Sequence, residues 1–200
     1  MPEPTQLRRP RADAERNRAR LLDAAKTAFA SGRGPVTLDQ IARDAEVGIG
    51  TLYRHFPTRE ALIEALYRQE LARLSGSADE LLRTQPPERA LRAWMDLFAD
   101  FVSTKRELAD ALRAAFASGA VSVSQSRQEL TVAVRTIFDA GNAAGTLRDD
   151  VRPEDVVAMV VGVLNATSTV GGQGQLARMF DLVMDAVTRT ESRDTPLDIS

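Results

Sequence analysis

Thr37 to Ala61 reads TLDQIARDAEVGIGTLYRHFPTREA, and the way this stretch folds decides the architecture around it. Thr37 stands three residues before Gln40, the spacing of a capping box, and predicts a short helix from Leu38 to Ala45. Val47-Gly48 reads as a tight turn, and a second short helix is expected from Ile49 to about Phe56. Pro57 breaks that helix, and Thr58 caps a long one carrying Leu62, Ile63, Leu66, Leu71 and Leu74. Two short helices separated by a turn of three or four residues make a helix-turn-helix.

The first short helix turns Leu38, Ile41, Ala42 and Ala45 to one side, and the second turns Leu52 and Phe56 inward, four apart. Ile49, Gly50, Thr51, Tyr53, Arg54 and His55 are left facing out. The second helix of such a motif lies in the major groove of DNA, and this outward set has the right chemistry. Thr37, Tyr53 and His55 offer hydrogen bonds to phosphate oxygens, and Arg54 and Arg59 add positive charge. Arg59 opposes the dipole of the helix it starts, an arrangement explained if that helix end and Arg59 share a phosphate. Thr51, Ile49 and Arg54 suit base edges, through a hydroxyl, a contact to a thymine methyl and guanine recognition. Gly48 and Gly50 thin the front of the helix. Taken singly, Tyr53 also fits an amphipathic core position and His55 a surface histidine; the combination with the capping box and the turn points to DNA.

Outward from this segment the periodicity stays helical. A helix is expected from Ala14 to Ser31, stopped by Gly32 and Gly34-Pro35. Further helices are expected from Pro86-Pro87 through Phe101, from Glu107 to Ala117, from Gln128 to Ala144 with closure at Gly145, from Pro153 to Val170, and from Gln175 to Thr190. Ser118 to Gln125 reads as a loop, and Gly171, Gly172 and Gly174 as a hinge. No two-residue alternation marks a strand. The expectation is an all-α chain of about nine helices: a basic arm over residues 1–13, a helix-turn-helix domain over 14–60, a helical effector-binding and dimerisation domain over 61–190, and a frayed tail over 191–200.

Composition narrows the chemistry. The 200 residues are 44% hydrophobic and 27% charged, with no cysteine and one histidine, His55. No disulfide, thiolate nucleophile or multi-histidine metal site is available. No catalytic, metal or cofactor site is expected: Gly48-Ile49-Gly50 resembles the start of a dinucleotide loop, but Tyr53 stands where the third glycine belongs. The net charge of −2 divides into +4 over Met1 to Arg59 and −6 over the remainder, a basic head on an acidic body, as suits a chain whose head meets a polyanion. The N-terminus has no apolar core of a secretory signal. The longest apolar run, Val156 to Val170, is about fifteen residues, where a membrane span needs about twenty. A cytoplasmic protein is expected.

The residues Thr37 to Leu62 closely resemble the DNA-binding signature of TetR-family bacterial transcription regulators. The matching pieces are TLDQIARDAEV at Thr37–Val47, GTLYRHF at Gly50–Phe56 and REAL at Arg59–Leu62. The helix ending in Phe29-Ala30 resembles the first helix of that family. Ile49 departs from the pattern, since many members place lysine or another polar residue there. The resemblance implies phosphate contacts at Thr37, Tyr53, His55 and Arg59, and close approach to bases at Gly50 and Thr51. It also implies a basic arm, Arg8, Arg9 and Arg11, like those with which some members reach an adjacent groove; a solubilising tail is the alternative for these three.

In the acidic remainder, Trp94, Phe98, Phe101 and Phe116, with Arg113 near them in sequence, suit an apolar effector pocket, which the resemblance also implies. The alternative is that these aromatics fill the core. The last two helices are apolar around most of their circumference, with Val157, Val161 and Leu164 on one and Met179, Val183 and Val187 on the other. Such helices must be covered on both sides, which points to a two-fold homodimer; a monomer burying both is the alternative. The function expected is a repressor that binds a palindromic operator in double-stranded DNA and is released when a small-molecule effector shifts the Thr58–Leu74 helix. Its rivals are an all-α small-molecule-binding enzyme using His55 as a base, and a helical dimerisation protein that never touches DNA.

Overall fold

A computed structural model describes residues 9–31, 36–107, 112–113, 117, 121–170 and 173–189. The described residues form nine helices: α1 (Arg9–Ala30), α2 (Leu38–Asp44), α3 (Ile49–His55), α4 (Arg59–Ser75), α5 (Ser77–Thr84), α6 (Pro87–Glu107), α7 (Val123–Ala144), α8 (Pro153–Val170) and α9 (Gln173–Val187). No strand occurs among them; one isolated antiparallel bridge pairs Leu147 with Thr188. No helix is long and apolar enough to cross a membrane among the described residues.

The chain packs as two compact units, Met1–Arg73 with Asp100–Ser126 and Leu74–Ala99 with Arg127–Ser200. In the first, α1, α2 and α3 pack on one another. Leu21, Leu22 and Ala25, spaced at one and four residues, give α1 a fully buried side, and Ile41 of α2 and Leu52 of α3 are likewise without exposure. Thr37 starts α2 as the sequence predicts: its hydroxyl oxygen accepts the Gln40 N–H at 3.2 Å. Thr58 does the same for α4, accepting the Ala61 N–H at 3.1 Å.

The turn between α2 and α3 is made one residue earlier than expected. The Val47 N–H donates to the Ala42 carbonyl and the Glu46 N–H to the Arg43 carbonyl, both at 2.9 Å. This is the paired closure of a helix whose following residue is left-handed, and that residue is Glu46, at φ 51°. Gly48 instead has φ −62° and caps α3.

In the second unit, α8 begins at Pro153 with Glu154 and Asp155 in its first turn, as proline at the first helical position and the helix dipole favour. It packs against α9. Gly145, at φ 71°, ends α7. The Arg148 N–H donates to the Val187 carbonyl and the Arg189 N–H to the Thr146 carbonyl, at 2.9 and 3.0 Å, which clasps the end of α9 to the α7–α8 connection.

Several expected boundaries move. The first helix starts at Arg9 rather than Ala14. Residues 77–84, which the sequence reading passed over, form α5. Asp79 and Glu80 favour its start, but the Gly76 cap has no side chain to announce it. The helix expected from Gln128 begins at Val123, because the Ser122 hydroxyl accepts the Gln125 N–H at 3.3 Å and starts it early. Gly174 lies within α9, not in a hinge; Gly171 and Gly172 lie outside the described residues, as do Gly32, Gly34 and Pro35, residues 108–111 and 114–116 of the helix expected at Glu107–Ala117, and residues 191–200.

Candidate nucleic-acid interface

α3 has two unlike sides. Leu52 and Phe56 point inward, with 0% and 2% exposure. Ile49 and Tyr53, four residues apart on the outward side, are 38% and 49% exposed. They are two of six large apolar side chains that stand out of the described surface, and both sit on a helix of seven residues. Gly50 and Arg54 are exposed; Thr51 and His55 are half-buried. A Cβ placed on Gly48 or Gly50 would touch nothing in the chain within 4 Å. Neither glycine is demanded by the packing of its own chain.

Cations of α1 and α4 tie the elements around α3 together. The Arg18 guanidinium lies 5.5 Å from the centre of the Phe56 ring, and Arg20 reaches Glu46 at 2.7 Å, pinning the left-handed turn. Arg59 lies with its guanidinium 5.1 Å from the Phe29 ring centre and donates to the Val36 carbonyl. That bond holds the start of α4 beside the start of α2, and so brings Arg59 next to Thr37. Thr37 accepts the Gln40 N–H through its side-chain oxygen, and its O–H is a donor. Arg54 donates from Nε to the Gly50 carbonyl at 3.2 Å, which lays its guanidinium along α3.

The bracing role of Arg18, Arg20 and Arg59 escaped the sequence reading. Their partners lie 38, 26 and 30 residues away in the chain, and nothing in local spacing marks them. Of the basic arm, Arg9 and Arg11 belong to α1 and Arg8 lies outside the described residues.

Residues 21–66 match the family described as bacterial regulatory proteins of the tetR family, and residues 86–188 match the C-terminal domain of SbtR-like transcriptional regulators. The chain belongs to the TetR family of bacterial transcriptional regulators. It is similar to the TetR transcriptional regulator SCO0520 of Streptomyces coelicolor, at 45% identity and a TM-score of 0.77, over 86% of this chain and 99% of that one. It also resembles a TetR regulatory protein of Mycobacterium vanbaalenii, at 30% identity and a TM-score of 0.70, over 90% of this chain and 99% of that one. A third relative is the HTH-type transcriptional repressor Rv1474c of Mycobacterium tuberculosis, 28% identical over 86% of this chain and 94% of its own length.

The effector residues expected for this TetR-family chain divide between its units. Trp94 and Phe98 belong to one, their ring centres 5.4 Å apart, with the Trp94 indole N–H donating to the Leu74 carbonyl at 3.2 Å. Phe101 belongs to the other, 5.4 Å from the ring of Tyr67, whose hydroxyl donates to that of Ser126 at 3.0 Å. Arg113 is exposed and Phe116 lies outside the described residues.

The residues expected at the dimer interface differ in exposure within the single chain. Val157, Leu164, Val183 and Val187 are buried in the single chain, between 1% and 5% exposed, and leave little surface for a partner to cover. Val161 and Met179 are half-buried. Met159 and Leu182, at 40% and 62%, face outward on the same two helices, and Gly162 faces open space.

Proposed function

We propose that this regulator binds duplex DNA sequence-specifically as a homodimer, represses transcription from a palindromic operator, and leaves it when a small apolar effector binds. The observation that carries the reading is the outward side of α3. Its inner side is buried in the core with the Arg18 guanidinium over Phe56, while Ile49, Gly50, Tyr53 and Arg54 are exposed among the described residues. A short helix held rigidly with its other side bare is what entering a major groove requires. Thr37, Tyr53 and His55 take phosphates in this proposal, Thr51, Ile49 and Arg54 take bases, and Arg59 chiefly positions Thr37. No catalytic role is assigned to His55.

One recognition helix reads few bases, and two held about 34–36 Å apart meet successive major grooves. The second copy is proposed to cover Met159, Gly162 and Leu182. For release, an effector seated against Phe101 would disturb Tyr67 on α4, the helix that carries Arg59 at its start. It acts only through unequal affinity for the two states. A cytoplasmic location goes with this role.

The test is duplex binding by the purified protein against salt, followed by footprinting upstream of its own and neighbouring genes. Affinity falling steeply with salt, with protection of a two-fold symmetric site, is the expected result. No binding to any duplex at low ionic strength would overturn the proposal in favour of a DNA-independent dimerisation protein.

A further inference from the structure

Along the outward side of α9 stand Arg178, Leu182 and Asp185, all exposed, at the four- and three-residue spacing that sets side chains in one row. The row is an apolar group between two opposite charges, which lie about 10 Å apart along the helix. Each charge has a nearer counter-ion in the sequence, and the fold engages both of those elsewhere. Asp181, three residues after Arg178, has the Nε of Arg92 of α6 at 3.6 Å from its carboxylate, and the Arg92 guanidinium stands 5.2 Å from the centre of the neighbouring Phe180 ring. Arg189, four residues after Asp185, reaches Asp149 at 2.7 Å. Arg178 and Asp185 themselves make no ion pair among the described residues.

Such a row is complementary to its own reverse. A second copy of α9, laid antiparallel across the first about a two-fold axis near Leu182, brings each arginine opposite an aspartate and each Leu182 onto the other. A two-fold interface has this reciprocity, residue i meeting j and j meeting i. A parallel approach would set arginine on arginine and aspartate on aspartate, which repel. We propose that Arg178 pairs with Asp185 of the partner subunit, twice by symmetry, and that these two contacts fix the antiparallel register of the dimer and select an identical chain as partner. The proposal rests on the homodimer reading above and adds to it the residues that choose the partner. Exposed pairs add little to affinity. What they supply is discrimination, because a mismatched chain meets like charges.

The experiment follows self-association of the full-length protein by sedimentation over a range of concentrations, with Arg178→Glu and Asp185→Arg made separately. Each variant puts like charges at both contacts and should dimerise more weakly than the wild type, on the order of ten- to a hundredfold. Mixed in equal amounts, the two variants should associate with one another about as tightly as the wild type, because each contact then joins one acid to one arginine. A chain carrying both substitutions should again pair with itself. Recovery on mixing separates a lost contact from a lost fold, since misfolded chains do not rescue each other. Single variants that dimerise as tightly as the wild type overturn the inference, as does a mixture no tighter than its components. In either case a dimeric wild type that binds duplex leaves the function above standing. A wild type that stays monomeric at every concentration removes the homodimer reading and this inference together.

Discussion

The guanidinium of Arg59 lies 5.1 Å from the centre of the Phe29 ring, joining the first turn of α4 to the last turn of α1. Its second tie, to the Val36 carbonyl, fixes the residue next to Thr37. Lysine keeps the charge but has neither the planar stack nor the fork of donors. Arg59→Lys should therefore lower unfolding stability by about 1 kcal/mol and weaken operator binding as Thr37 loosens. Urea unfolding checks it: full stability with weakened binding would mean that Arg59 acts only as a charge toward phosphate.

Glu46 carries a left-handed backbone, at φ 51°, without being glycine. That conformation costs an L-residue roughly 1–2 kcal/mol, and glycine adopts it freely. The ion pair with Arg20 is exposed and contributes about 0–1 kcal/mol. Glu46→Gly should therefore raise stability, by about 0.5–1 kcal/mol after the lost pair. A fall in the urea midpoint would show that the brace from Arg20 outweighs the backbone.

Glu46 also shows where the sequence stops being readable. The start of α2 is written in Thr37 and Gln40, and the start of α8 in Pro153, Glu154 and Asp155, because caps act within one turn. Val47-Gly48 looks like the turn, yet the left-handed position falls at Glu46, where backbone bonds from Glu46 and Val47 back to Arg43 and Ala42 close α2. Helix α5 was missed for a related reason, as its Gly76 cap offers no side chain to signal it. The outward residues of α3 were legible because Leu52 and Phe56 fix which side is in. On α8 and α9 apolar residues occur on every side, so periodicity could not separate buried Val157 from outward Met159.

Gly50 is the second residue of α3, where alanine is better by up to about 1 kcal/mol, and a Cβ there would meet no residue beyond its neighbours and its own helix backbone within 4 Å. Gly50→Ala should raise the melting temperature and lower operator affinity together. Thermal unfolding and DNA titration on the same preparation decide it. Unchanged affinity would mean that DNA does not approach this residue.

Gly141 presents the opposite case. A Cβ there would lie 2.8 Å from the Leu147 Cβ, and Leu147 is fully buried. The Gly141 carbonyl also accepts the Thr146 N–H at 2.9 Å, so the chain after α7 cannot easily move away. Gly141→Ala should cost about 1–3 kcal/mol through overpacking, read as a lower urea midpoint, despite the better helix propensity of alanine.

The α8–α9 pair separates folding from assembly. Leu182 is 62% exposed in the single chain, and Val183 beside it is 5% exposed. Leu182→Glu buries no charge within the chain, so secondary structure and the unfolding midpoint at dilute concentration should stay near wild type. If the second copy covers this face, the same substitution leaves a carboxylate unpaired in an apolar interface, which is costly. The variant should then sediment as a monomer and lose operator affinity with no change at α3. Val183→Glu puts the charge into the core and should unfold the chain outright. Should Leu182→Glu remain a dimer with full affinity, the two copies meet through another surface, and the outward side of α8 and α9 has to be assigned elsewhere.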